Sequence, residues 1–182
     1  MNYRCYCSLI KNIKEGRILT EEEFDHINNK EDIEKRYELI EKIISRFNFN
    51  LLRKEQKVVL NIPGTCIIYA DEHLITSVIE NIISNASKFS DHGKNIFVSI
   101  HEIENNFVLS IKDEGPGFSP EDLDSAFKKF KQLSSKPTGG ESSTGLGLYI
   151  VKRIVDLHGG TIEIKSEGKN KGAEFIIALP KK

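Results

Sequence analysis

The chain has 182 residues, of which 38% are hydrophobic and 29% charged, and its formal net charge at pH 7 is −1. This balance is that of one ordinary globular domain with room for a small appendage, and it excludes a disordered chain. The near-zero net charge gives no support to binding through bulk electrostatics, so we expect no nucleic-acid partner.

The three cysteines, Cys5, Cys7 and Cys66, have no metal-ligand spacing, and their odd number argues against a disulfide framework. Free thiols are typical of a reducing compartment, so the sequence predicts a cytoplasmic location. No apolar run approaches the ~18 residues of a membrane span, and the N-terminus lacks a signal-peptide pattern. If the parent protein is membrane-anchored, we expect its anchor outside this chain.

The predicted elements interleave helices with strands, and residues 1–16 are compatible with either. Apolar periodicity, turn residues and caps give the following order: a helix at about 33–47, strands at 57–62 and 66–70, a helix at 74–89 capped by Asp71, strands at 95–103 and 106–114, a short helix at 120–130, a polar loop at 132–144, a helix at 147–158, and strands at 161–167 and 173–180.

Two of these strand pairs are separated by short polar turns and therefore read as hairpins. The order predicts an α/β (α+β) fold, a two-layer α/β sandwich in which a mixed, mostly antiparallel sheet packs against three helices.

The helix at 74–89 carries polar residues beside its apolar stripe. At 100° per residue, Asn81, Asn85 and Lys88 fall within an arc of roughly 60° that borders the core-facing side. These amides are compatible with a structural role, since buried amides need hydrogen-bond partners. They are also compatible with a ligand site, because an amide oxygen can bind Mg²⁺ and a nearby lysine can contact phosphate.

A second group of residues is Asp113-x-Gly115-x-Gly117, which follows a predicted strand. A carboxylate at a strand end can accept a hydrogen bond from an exocyclic amine such as adenine N6, and glycines let the backbone approach a ligand. Asp and Gly are also common in turns without any ligand, so this pattern alone leaves both interpretations open.

The third group lies in the stretch "STGLGLYI", residues 143–150, where Gly145 and Gly147 precede a predicted helix. The backbone N–H groups and dipole at a helix N-terminus favour phosphate. The stretch is not a Walker A loop, because no Lys-Ser/Thr pair follows the glycines, and it lacks the third glycine of the dinucleotide-binding fingerprint.

Together and in this order, the motifs resemble the ATP-binding catalytic domain of sensor histidine kinases, whose wider group includes gyrase, MutL and heat-shock chaperone ATPases. "NIISNASKFS" resembles the N box, "DEGPGF" the G1 box, "FKKF" the F box, and "STGLGLYIVKRIVDLHGG" the G2 box with its helix. The resemblance covers roughly Tyr37 onward and implies the Bergerat ATP-binding fold, with ATP and Mg²⁺ as cofactors.

The resemblance also implies roles for individual residues. Asn85 would coordinate Mg²⁺, Asn81 would assist at the metal or phosphates, and Lys88 would contact phosphate, so Asn81 and Lys88 are the candidate catalytic residues. Phe89 would pack near the adenine, and Asp113 would receive the adenine amine.

For the glycine motifs, the resemblance implies that Gly115 and Gly117 shape the adenine wall. Gly145 and Gly147 would hinge a mobile lid formed by residues 131–144, and Phe127 and Phe130 would anchor its base. Further nucleotide contacts are implied at the start of the last helix, from Thr144, Gly145, Leu146, Gly147 and Leu148.

The family's phosphoacceptor box, a histidine followed by an acidic residue, is absent from the chain. His26, His73 and His101 all lack that context. We therefore expect residues 31–182 to be the catalytic domain and residues 1–30 to be the end of a dimerisation hairpin with its linker. The implied partners are the histidine-containing hairpin of the parent kinase and the receiver domain of a response regulator.

The residue one helical turn before the metal-binding asparagine indicates the chemistry. Hydrolytic members of the group carry a glutamate there as general base for water, whereas this chain has Asn81, which cannot accept a proton near neutral pH. The sequence thus favours phosphoryl transfer to a histidine over ATP hydrolysis. Two alternatives remain: an anti-sigma-type serine kinase, and a nucleotide-gated interaction module without catalysis.

Overall fold

The computed structural model describes residues 43–62, 70–131, 134–139 and 144–181. Within these ranges lie a helical segment at 43–45 and the four helices and five strands that we number in chain order. They are α1 (Asn48–Arg53), β1 (Lys57–Asn61), α2 (Glu72–Phe89), β2 (Asn95–Ile103), β3 (Asn106–Asp113), α3 (Pro120–Leu123), α4 (Gly147–Leu157), β4 (Thr161–Lys165) and β5 (Ala173–Pro180).

The five strands form one sheet in the order β1-β2-β3-β5-β4. The pairs β2–β3, β3–β5 and β4–β5 are antiparallel, and β1 pairs with β2 in parallel, with α2 as the crossover between them. The mixed, mostly antiparallel sheet predicted from the sequence is confirmed, as is the fold class.

The core lies between one face of the sheet and two long helices. Side chains alternate along a strand, so every second residue of β2, β3 and β5 points to the same face, and these positions are buried. Helices α2 and α4 lie against each other and cover that face with their apolar stripes. The stripe of α2 is Ile75, Val78, Ile79, Ile82, Ile83 and Ala86, and that of α4 is Leu148, Val151, Ile154 and Val155.

The beginning of α2 is fixed by its cap and by the end of α4. The Asp71 carboxylate accepts hydrogen bonds from the backbone N–H groups of His73 (3.1 Å) and Leu74 (3.2 Å), as predicted for an N-cap. The backbone N–H of Asp71 in turn donates to Nε2 of His158, the residue after α4, at 3.1 Å. These contacts hold the two long helices in register.

Strand directions gather several chain segments at one end of the sheet. Because β1 and β2 are parallel, both begin there, at Lys57 and Asn95. The antiparallel β3 ends there at Asp113, which is paired with Ala173 at the start of β5. The C-terminal end of α2 leads into β2 at the same end, so the polar edge of α2 and Asp113 are brought close together.

Two elements, the short helix α3 and helix α1, differ from the sequence predictions, and two predicted elements lie wholly or mostly outside the described residues. The helix predicted at 33–47 lies mostly outside the described residues, as does the strand predicted at 66–70. The short helix predicted over 120–130 ends at Leu123, because the Ser125 hydroxyl bonds back to the carbonyl of Glu121 at 2.8 Å and the chain continues as turns. Helix α1 was not predicted, since it is short and buries only Leu51.

Candidate functional site

The polar edge of α2 faces the glycine that begins α4. Asn81 Nδ2 donates to the carbonyl of Ser77 at 2.8 Å, which leaves Asn81 Oδ1 directed at Gly147. A Cβ atom on Gly147 would lie 2.9 Å from this oxygen and 3.9 Å from Asn85 Nδ2. Two segments far apart in sequence, the N box and the G2 box of the resemblance, thus meet here, and only glycine permits so close an approach. Lys88 lies on the same helix, half-buried.

Asp113 occupies the last core-facing position of β3, which explains why a carboxylate is only 7% exposed. Its Oδ1 accepts hydrogen bonds from the backbone N–H groups of Gly115 (2.8 Å) and Ala173 (3.2 Å). Burial raises the pKa of Asp113 to about 6, although these two hydrogen bonds act in the opposite direction. Among the described residues none donates to Oδ2, so this oxygen can accept a hydrogen bond from a ligand.

The loop 114–118 after Asp113 is held by the turn between β4 and β5. Gly117 has a φ of 66°, and a Cβ there would lie 2.7 Å from Ser166 Oγ and 2.9 Å from the carbonyl of Gly172. Ser166 Oγ donates to that carbonyl at 2.8 Å, and the Gly172 N–H donates to the carbonyl of Gly115 at 3.0 Å. Sequence reasoning missed Ser166 and Gly172, although Gly172 directly before a strand is a recognisable turn signal.

Phe89 and Ser90, at the end of α2, complete this wall of the site. A Cβ on Gly115 would lie 2.9 Å from Asp113 Oδ1, 3.3 Å from Ser90 Oγ and 3.4 Å from the Phe89 carbonyl. Ser90 is fully buried, and its hydroxyl has no hydrogen-bond partner within the described part of the chain. An unpartnered buried hydroxyl beside a buried carboxylate is a feature expected of a polar pocket rather than of an apolar core.

The segment predicted to be a lid, residues 131–144, is described at 131, 134–139 and 144. Gly145 has a φ of 69°, and a Cβ on it would lie 2.7 Å from the Lys131 carbonyl, so the two ends of the segment touch. Near the start, the backbone N–H of Ser134 donates to Asp122 Oδ1 at 3.1 Å, and its hydroxyl donates to Oδ2. The hydrogen bond from this hydroxyl lowers the pKa of Asp122.

The two phenylalanines predicted to anchor this segment differ in their surroundings. Phe127 is half-buried and packs against the core. Phe130 is 65% exposed, and its ring is contacted by Lys129 Nζ at 5.0 Å from the centroid. The prediction is wrong for the side chain of Phe130, because a left-handed backbone (φ 60°) directs it away from the core.

At the start of α4, residues 144–148 differ in what they can offer a ligand. Thr144 is exposed and Leu146 is half-buried, whereas the Leu148 side chain belongs to the core. Leu148 can therefore contact a ligand only through its backbone, as can Gly145 and Gly147. The first N–H groups of a helix have no partner within the helix, so they are suited to binding phosphate.

The residues present fit a magnesium–nucleotide complex. No group of three or more His, Cys, Asp or Glu side chains capable of holding a metal occurs in the ranges described. A cation here would be bound by amide oxygens on α2 together with oxygens of its own ligand, which suits Mg²⁺. The same ranges contain no helix long and apolar enough to cross a membrane.

Comparison with known families shows which family this domain belongs to. Residues 70–182 match the family described as "Histidine kinase-, DNA gyrase B-, and HSP90-like ATPase". The chain belongs to this family. Its domain is of the histidine-kinase type, homologous to that of two-component sensor kinases, and the family is one of ATP-binding domains.

Individual relatives support the same assignment. Sensor protein SrrB of Staphylococcus aureus is 42% identical over 111 residues, which are 61% of this chain and 19% of that protein. The chain therefore spans about a fifth of the length of these relatives. Among solved structures, the mycobacterial sensor histidine kinase MprB is 25% identical with a TM-score of 0.66, over 80% of this chain and 93% of that one. Full-length ShkA in complex with AMPPNP is 26% identical with a TM-score of 0.67, over 78% and 29%.

Proposed function

We propose that this chain binds ATP with Mg²⁺ and transfers the γ-phosphoryl group to a histidine on the dimerisation hairpin of its parent sensor kinase. The observation that supports this most strongly is the close approach of the Asn81 amide to Gly147 at the start of α4, with the Asn85 amide beside it. It brings a neutral metal-binding edge against backbone N–H groups that can receive phosphates, and Asp113 lies nearby, beside the C-terminal end of α2.

Each group has a defined task in this proposal. Asp113 accepts the adenine amine through Oδ2, and the loop held by Ser166 and Gly172 forms the wall beside the base. Asn85 binds Mg²⁺, which when bound neutralises charge on the phosphates. Lys88 and the first N–H groups of α4 orient the γ-phosphoryl group.

The proposal favours transfer over hydrolysis because, among the residues that the structure describes on α2, neither Asn81 nor Glu80 is available as a base for water. The Asn81 amide cannot take up a proton near neutral pH, and its Nδ2 is already bound to Ser77. The neighbouring carboxylate, Glu80, pairs with the guanidinium of Arg46. Transfer to an external acceptor needs mainly positioning and charge stabilisation, so the acceptor segment can supply its own base.

The test supplies the missing acceptor. The 182-residue chain is incubated with γ-labelled ATP, Mg²⁺ and a separate dimerisation hairpin containing the acceptor histidine. We expect acid-labile, base-stable phosphate on the hairpin, and none when that histidine is replaced by glutamine or when the chain carries Asn85→Ala.

The remaining outcomes distinguish the alternatives. Release of inorganic phosphate without labelling of the hairpin would indicate an ATPase instead of a kinase. Acid-stable label on a serine would indicate a serine kinase. ATP binding with neither product would leave a nucleotide-gated interaction module. We also propose that the parent kinase acts on a response regulator receiver domain and that this domain lies in the cytoplasm.

A further inference from the structure

A lysine is buried at the end of the nucleotide site, where no motif predicted one. Lys54 follows α1 directly and is only 1% exposed. Its ammonium group donates to the carbonyls of Ser87 (2.8 Å) and Lys88 (3.1 Å) and to Thr138 Oγ1 (2.8 Å). A buried ammonium group is costly unless it is hydrogen-bonded, and these contacts use all three of its protons.

Thr138 lies within 134–139, the part of the lid that the structure describes. Its backbone N–H donates to the Lys88 carbonyl at 2.9 Å, and its hydroxyl donates to the Ser90 carbonyl at 2.9 Å while accepting from Lys54. Lys54 and Thr138 therefore share the Lys88 carbonyl as an acceptor at the last turn of α2. We call this set of contacts the Lys54–Thr138 clasp.

The charges in this arrangement are complementary. The last carbonyls of a helix carry partial negative charge, which a cation stabilises. Gln56 also binds this helix end, because its Nε2 donates to the carbonyls of Ser87 (3.1 Å) and Ser90 (2.9 Å). Gln56 makes no hydrogen bond with residues 134–139 within the described part of the chain, whereas Lys54 adds a side-chain hydrogen bond to the direct contacts of Thr138 with the helix end.

The clasp places residues 134–139 beside the C-terminal end of the polar edge of α2. Thr138 touches the helix at Lys88 and Ser90, and Gly147, just beyond the lid, touches it at Asn81. Described residues on both sides of 140–143 therefore contact the edge that carries Asn81, Asn85 and Lys88.

We propose that Lys54 is a positioning residue for the nucleotide site: through Thr138 it holds residues 134–139 along α2 before the nucleotide binds. This inference rests on the proposed function for the identity of the ligand, but the contacts themselves do not depend on it. Because residues 134–139 are held in advance, ATP binding costs less conformational entropy than it would if these residues had to be fixed on binding.

The test measures backbone hydrogen exchange at the Thr138 amide in the nucleotide-free chain. We compare Lys54→Met, which keeps the length of the side chain, with Thr138→Val, which keeps its shape, and with the double variant. Each single change should raise the exchange rate about tenfold, corresponding to the loss of one net hydrogen bond to a charged group. The double variant should exchange no faster than the faster single variant, because both changes break the same clasp.

Two matched controls separate the clasp from general destabilisation. Gln56→Met perturbs the same helix end, and Lys136→Met removes an exposed lysine from the same lid segment; both should leave Thr138 exchange within about twofold of the unchanged chain. The ATP Kd should rise severalfold for Lys54→Met and Thr138→Val, and remain unchanged for Lys136→Met.

Unchanged exchange at Thr138 in both single variants, or fully additive effects in the double variant, would overturn the proposal. If Lys54→Met does not fold, the exchange rate of the amide at position 138 in Thr138→Val is the measurement that tests the proposal. Failure of the unchanged chain to bind ATP would refute the proposed function instead, and the nucleotide-free exchange data would still test the clasp.

Discussion

At the scale of single residues, Asp113 combines two opposing requirements. It lies at a core-facing position of β3, and burial there disfavours the charged form, yet a carboxylate is the acceptor that an adenine amine needs. With a pKa of about 6, Asp113 is mostly ionised near neutral pH. The nucleotide-free domain therefore carries the free-energy cost of a buried charge. The nucleotide-free domain is therefore less stable than it would be with an apolar or amide side chain in place of Asp113.

This leads to a prediction for Asp113→Asn. The folded-state pKa of about 6 exceeds the ordinary 3.8, so the folded domain holds the proton more tightly, and the contribution of Asp113 to stability is lost as pH rises through 6. Asparagine keeps the acceptor for Gly115 and Ala173 without a charge. We expect the variant to gain about 2–3 kcal/mol in free energy of unfolding at pH 8 relative to the native chain, and almost nothing at pH 4.

Urea unfolding at the two pH values measures this difference, and calorimetry should show that the same variant has lost most of its ATP affinity. A variant that is less stable at pH 8, or one that binds ATP normally, would contradict the role given to Asp113.

Two serines at the end of α2, Ser87 and Ser90, have buried hydroxyls that differ in their hydrogen-bond partners. Ser87 donates to Gln56 Oε1 at 2.7 Å, whereas Ser90 has no partner for its hydroxyl among the described residues. We expect Ser87→Ala to lower the free energy of unfolding by about 1 kcal/mol, because it leaves a buried amide oxygen unpaired. Ser90→Ala should leave it unchanged or raise it by up to about 1 kcal/mol, because a desolvated hydroxyl is removed.

Denaturant titration of the nucleotide-free chain distinguishes the two serines, provided that the m-values agree. Equal destabilisation by both changes would mean that Ser90 has a hydrogen-bond partner in the folded chain.

At the scale of elements, the first residue of α4 allows the close approach of Asn81 on α2 at the expense of helix stability. Alanine is the better helix former, by up to about 1 kcal/mol, yet Gly147 occupies the first position of α4. Gly147→Ala should leave the stability equal or higher and weaken Mg·ATP binding at least tenfold, because its Cβ would lie 2.9 Å from Asn81 Oδ1 and displace that amide.

Gly93→Ala provides the opposite pattern as a control. Gly93 has a φ of 72° and open space around it, so alanine there should cost about 1 kcal/mol of stability and leave ATP affinity unchanged. The two variants are compared by thermal unfolding and by nucleotide titration. Normal ATP affinity in Gly147→Ala would mean that the close approach of Gly147 to Asn81 is not part of the nucleotide site.

Elements with a clear repeat could be predicted from the sequence, and long-range polar contacts could not. The strands β2 and β5 were predicted with their observed bounds, and Asp71 as a cap, because each has a local pattern of alternation or capping. Lys54 and Thr138 belong to no periodic pattern. Their partners are backbone carbonyls, which any residue type provides, so no signal in the sequence identifies them.

At the scale of the whole molecule, the site is formed by segments that the topology collects at one end of the sheet. The proximity of Asp113 to Ala173, and of Asn81 to Gly147, follows from strand order and helix packing. Sequence motifs named most of these residues through a family resemblance. The supporting residues Ser166 and Gly172 were missed because their role depends on which hairpin turn packs against loop 114–118.

The parallel pairing of β1 with β2 has a consequence for how the molecule folds. The pairs β2–β3 and β4–β5 are formed by strands adjacent in the chain, but Lys57 meets Asn95 only after the whole of α2 has crossed over. Local hairpins form early and distant pairings late, so β1, with Lys54 just before it, is expected to join after the two hairpins. The β3–β5 pair, which holds Asp113 beside Ala173 and joins strands even farther apart in the chain, is expected to form late as well. A nucleotide that needs these late contacts would then slow unfolding without accelerating folding, and would act as a kinetic stabiliser of the finished domain.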